Sequence, residues 1–173
     1  MRISPFPELP FAIFRYEPHD EWAMRTAIQQ KINALTLAGK RITKISLAEL
    51  MWESIGRSES LEVLLEVERQ QGFEEAQRQV TSYLSEPMWS PLANLVAGRA
   101  NDLDPQHDIL FLIRAAALAP SVYPVSRLMD DLKGKTEVPG VLFYPGTSAG
   151  PNNLVFMGLD SNAPLHNYQV TIY

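Results

Sequence analysis

Apolar positions recur along this chain at changing spacings, and the changes mark its elements. Residues 11–16, Phe-Ala-Ile-Phe-Arg-Tyr, are an aromatic-rich run behind prolines at 5, 7 and 10, which predicts a buried strand. Past Pro18 and Asp20 the period lengthens. Met24, Ile28, Ile32 and Leu35 recur at spacings of four, four and three, a single helical stripe that Gly39 stops. Residues 42–47 alternate as a second strand. Ser46-Leu47-Ala48-Glu49 then matches a capping box, starting a helix through Trp52 and Ile55 to Gly56.

The middle of the chain reads as helical and charged. Leu61, Leu64 and Leu65 form one stripe, Gly72 breaks it, and Phe73, Ala76, Val80, Tyr83 and Leu84 form another. Pro91 suits the first turn of a short helix through Leu95. The clearest buried strand is Asp108–Ile113, entered by the turn-forming Asp104-Pro105. A helix follows over 121–132 with Val125, Leu128, Met129 and Leu132 inward. Residues 138–144 are a further strand that Pro145-Gly146 should stop, leaving 147–153 as a loop. Residues 154–157 and 168–173 read as two final short strands.

Apolar strands alternating with helices predict an α/β fold: a mainly parallel sheet flanked by helices, Rossmann-like and three-layered. The two C-terminal strands are candidates for an antiparallel edge. At 173 residues, with no linker or repeat, residues 1–173 read as a single domain. The net charge of −5 gives no general attraction to phosphate backbones, so direct nucleic-acid binding is not expected. Without cysteine there are no disulfides, thiolate metal sites or cysteine nucleophiles. The N-terminus lacks the apolar core of a signal peptide, and no apolar stretch is long enough for a membrane span. The expected compartment is the cytoplasm.

Candidate chemistry has to be set against plainer explanations. Gly134-Lys135-Thr136 imitates the tail of a P-loop, but position 129 is methionine where glycine is needed, and a strand follows where a helix is needed. A turn explains it. A ligand crevice is better placed after the strand ending at Ile113, since ligands bind at the carboxyl ends of parallel strands. Arg114 and Arg127 are candidates to face it, with Tyr144, Gly146, Asn167 and Tyr168 from the ends of other strands. The plainer alternative has Arg114 bridging Asp130 or Asp131 and the aromatic pairs serving as turns.

His19, His107 and His166 lack metal-ligand spacing, and Asp102, Asp104 and Asp108 lack the pattern of an EF-hand, so no metal or other cofactor is expected. No Gly-x-Ser-x-Gly elbow supports a serine hydrolase. The charged 59–79 segment reads either as a solvated helical face or as a partner-docking face.

Several segments together resemble a known family. They are Phe11–Tyr16 followed by Glu17-Pro18-His19-Asp20-Glu21, and Leu103-Asp104-Pro105 leading into Asp108–Ala116. To these add Val141-Leu-Phe-Tyr-Pro-Gly146, Phe156-Met157-Gly158-Leu159 and the end Asn167–Tyr173. Over essentially its whole length the chain is similar to the BrxB family of bacteriophage-exclusion (BREX) defence systems. Members often carry a helical segment ahead of the first strand, whereas here that strand lies almost at the start. The resemblance implies a small defence component acting beside a PglZ-type protein, a DNA methyltransferase and a large ATPase, with no catalytic residues to carry over. The expectation is a non-enzymatic adaptor with other BREX proteins as partners, a PglZ-type protein foremost, and with self-association left open. The alternative is a nucleotide- or phosphate-binding regulatory domain using the loops after residues 113 and 144.

Overall fold

The structure, a computed structural model, describes residues 9–119, 122–150, 153–159 and 171–173. Asn167, Tyr168, His166 and the start of the last expected strand lie outside them. Strand β1 (Phe11–Tyr16) leads through a short 3-10 turn into helix α1 (Glu21–Leu37), then β2 (Arg41–Ser46) and α2 (Leu47–Ser58). The helical middle comprises α3 (Leu61–Gln71), α4 (Phe73–Ser85) and α5 (Leu92–Ala100). Strand β3 (Asp108–Ile113), α6 (Val125–Asp131), β4 (Gly140–Gly150), β5 (Asn153–Phe156) and β6 (Thr171–Ile172) complete the order.

Local signals explain where several elements start and stop. The Ser46 hydroxyl accepts a hydrogen bond from the Glu49 N–H, the capping interaction the sequence predicts for α2. Ser60 caps α3 in the same way through the Val63 N–H. Gly72, with φ of 92°, makes the turn between α3 and α4 in a conformation that side chains disfavour. Helix α5 runs to Ala100, five residues beyond the expected Leu95. Helix α6 begins only at Val125, because Pro124 supplies the extended residue ahead of its first turn.

The strands form one sheet in the order β2-β3-β4-β1-β6, every neighbour parallel, with β5 paired to β4. Strand β5 runs antiparallel, as the sequence suggests, but β6 adds to β1 in parallel. Strand β4 also departs from expectation. It does not stop at Pro145-Gly146 but continues to Gly150, so residues 147–150 are strand rather than loop. The reason is a change of partner. Strand β1 pairs with β4 as far as Tyr16 opposite Pro145, and from Gly146 onward β5 takes over. A proline is tolerated at such a handover because its missing N–H interrupts no continuous ladder.

The two faces of the sheet are covered very unequally. One side holds the large core, where Leu110, Leu112, Leu142 and Tyr144 meet Leu50, Leu84, Leu92, Val96 and Leu128 from the helices. Ser54 stitches this layer, its hydroxyl donating to the carbonyls of Tyr83 at 3.1 Å and Ser90 at 2.7 Å. The other side has a small cluster of Tyr16, Ile28, Ile109, Phe111 and Phe143, roofed by α1 alone among the described residues. Helix α1 must cross β4 and β3 to connect β1 to β2, so one helix spans a face of several strands. Ile28 is its only fully buried residue.

Candidate functional site

The carboxyl ends of β1 and β3, with Phe143 of β4 and Lys44 of β2, surround a cavity of about 270 Å³ on the side of α1. Strand β1 leaves the sheet toward this face, while β3 leaves toward the other through a 3-10 turn at Ala115–Leu118 that joins the large core. Diverging connections of this kind open a crevice at the strand ends. Met24 and Ile28 of α1, Ile113 and Phe143 make its apolar floor, and Glu21, Arg25, Lys44 and Arg114 bring charge to it.

The acidic side of this cavity is satisfied internally. Glu21 accepts hydrogen bonds from the Tyr16 hydroxyl and from Arg25 Nε at 2.9 Å. Burial, reinforced by the Glu21 hydrogen bond and charge, pushes the Tyr16 phenol well above its ordinary range, so it acts as a neutral donor. Arg114 takes a left-handed backbone conformation, φ 61° and ψ 37°, and reaches Glu49 at 3.7 Å. Its partner is thus on α2, not Asp130 or Asp131. Lys44 makes no hydrogen bond or ion pair among the described residues. It stands beside Ile42 on the α1 side of β2, where alternation calls for an apolar residue, and that mismatch is the sequence signal for it.

Of the described residues singled out from sequence, only Arg114 lines this cavity. Arg127 lies on α6 and pairs with Asp131 at 3.6 Å, a carboxylate that also accepts from Tyr123. Tyr144 is fully buried in the large core, its ring 5.3 Å from Phe156. Its hydroxyl has no partner among the described residues, and burial alone raises its pKa. Gly146 is explained by packing: a Cβ there would lie 2.3 Å from the Val155 carbonyl and 2.5 Å from the Tyr144 ring. Its carbonyl accepts from Arg15 at 3.2 Å.

The amino end of the sheet is built differently. Arg41 grips Asp108 through two hydrogen bonds of 2.7 Å, and the Asp104 N–H donates to the same carboxylate at 2.7 Å. The Arg41 bonds and that N–H outweigh burial and hold the Asp108 carboxyl down from its ordinary 3.8 to about 2. Asp104 in turn contacts His107 Nδ1 at 2.5 Å and accepts from the Gln106 N–H. These acids build a turn, and no group of three or more potential metal ligands occurs among the described residues. Gly134-Lys135-Thr136 lies at this end too. It is a turn, with Lys135 donating to Asn94 at 2.8 Å and Thr136 accepting from the Val138 N–H.

Fold and site together define an α/β domain whose cationic crevice sits at the carboxyl ends of parallel strands. The sequence model of the family described as "BREX protein BrxB" matches residues 43–170, and the chain belongs to that family. It is therefore a component of a BREX phage-defence system. No curated protein and no solved structure matches the chain. The matched stretch contains Lys44 and Arg114, while β1 and α1 precede it. No helix among the described residues is long and apolar enough to cross a membrane.

Proposed function

We propose that the protein is a non-enzymatic adaptor of a BREX complex, with a PglZ-type protein as its partner and α3 as its docking face. The observation that carries this reading is the composition of α3 set against its burial. The helix bears Leu61, Val63, Leu64, Leu65 and Val67 in eleven residues and buries none of them. Leu61, Val63 and Leu65 are 46%, 43% and 41% exposed, and Phe73 at the turn is 63% exposed. Apolar side chains gathered on one projecting helix are the usual form of a helix-in-groove contact. Glu62 and Glu66 lie together on the side of the helix away from Leu64, which suits a groove with a basic rim.

Co-purification of the tagged chain with each other component of its system tests the proposal. The PglZ-type protein should be retained by the wild type and lost with the double variant Leu61→Asp/Leu65→Glu. Both sites are exposed, so each change should alter stability by no more than about 0.5 kcal/mol. A chain that captures no component, or a variant that captures the PglZ-type protein undiminished, overturns it.

A further inference from the structure

The cavity at the carboxyl end of the sheet holds more positive charge than its own residues neutralise. Glu21 and Arg25 satisfy each other at 2.9 Å. Lys44 is left without a partner among the described residues, and Arg114 has only the well-exposed Glu49 at 3.7 Å. Two exposed cations, Lys44 and Arg114, therefore line one small apolar-floored space, in a chain whose net charge is −5. Cations at a partly enclosed, apolar-floored space without a close counter-ion attract an anion more strongly than they would on open surface.

The backbone at Arg114 points the same way. Its positive φ is a conformation glycine adopts freely and other residues rarely. An exposed pair at 3.7 Å contributes little that would favour arginine there. What arginine adds is a planar fork of donors at the mouth of a cavity, a shape matched to the oxygens of a phosphate. The volume of about 270 Å³ lies just below the range of drug-sized pockets and admits a small ligand.

We propose that this cavity is a phosphate-binding site, in which Lys44 and Arg114 hold the phosphate oxygens above the floor formed by Ile28, Ile113 and Phe143. The ligand is either free phosphate or a small phosphomonoester whose organic body rests on that floor. The site shares no residue with α3 and stands independently of the adaptor reading.

Thermal-shift and calorimetric titrations with inorganic phosphate, adenosine monophosphate and adenosine test it on the whole chain. Phosphate and the monophosphate should raise the melting temperature with concentration, and adenosine should not, because only a ligand of the folded state stabilises it. Lys44→Gln and Arg114→Gly should each weaken binding about tenfold or more, the loss of one charge-assisted contact. Arg114→Gly should meanwhile melt at or above the wild-type temperature without ligand, because glycine relieves the left-handed backbone. Arg127→Gln on α6 should leave binding unchanged. Tighter binding of the monophosphate identifies the phosphomonoester, and equal binding identifies the free anion. The proposal is overturned if neither phosphate nor the monophosphate binds, if adenosine binds equally well, or if Lys44→Gln and Arg114→Gly bind as tightly as wild type.

Discussion

The two faces of the sheet are built from the same strands yet do different work. Along β3, Leu110 and Leu112 enter the large core beneath several helices, while Ile109, Phe111 and Ile113 face α1. Helices α2, α4, α5 and α6 all bury side chains, whereas α1 fully buries only Ile28 and leaves a groove of about 620 Å³ between itself and the sheet. Trp22 and Leu37, at opposite ends of α1, are 75% and 89% exposed. Packing free energy is thus concentrated on one face. The lightly covered face keeps its cavities, and the cationic crevice belongs to it.

The comparison can be broken by truncating one helix from each face. Leu128→Ala on α6 removes a fully buried side chain and should cost about 3–5 kcal/mol in chemical denaturation. Ile32→Ala on α1 removes a half-buried one and should cost about 1 kcal/mol. Equal losses would show that both faces contribute alike. A second measurement sharpens the contrast between the two ends of the sheet. Because the Asp108 carboxyl titrates lower folded than unfolded, its stabilising contribution is complete above about pH 4 and disappears as pH falls toward 2. Melting temperature should drop across that window, and Asp108→Asn should remove this component of the drop. The smallest effect concerns Tyr144. Its hydroxyl is buried without a described partner, so Tyr144→Phe should be neutral or stabilise by up to about 1 kcal/mol, read by thermal melting.

Much of the fold is legible in the chain because its local signals agree. The Ser46 capping box, the Gly72 break and the wholly apolar Ile109–Ile113 run each fix an element through interactions within a few residues. What could not be read is set by distant partners. Pro145-Gly146 looks like a stop, and only the replacement of β1 by β5 alongside β4 makes it the middle of a strand. The direction of β6 likewise follows from its neighbour β1, at the other end of the sequence. The site divides in the same way. Arg114 announces itself by following β3, but Arg25 and Lys44 join it only because α1 carries the chain across the sheet to β2. Tyr144 and Gly146, expected at a strand end, lie inside β4 and serve its packing.

The seat of β1 between β4 and β6 has a consequence for the order of events during synthesis. Arg15 and the Gly146 carbonyl it contacts are 131 residues apart. A ribosome takes roughly ten seconds or more to travel that far. Through that interval Phe11 and Ile13 wait without the strand that will shelter them, while the β2–β3 pair and the helices between them can already assemble. Contacts so remote in sequence form slowly even in the finished chain. The seams on both sides of β1 thus close late, that with β4 before that with β6.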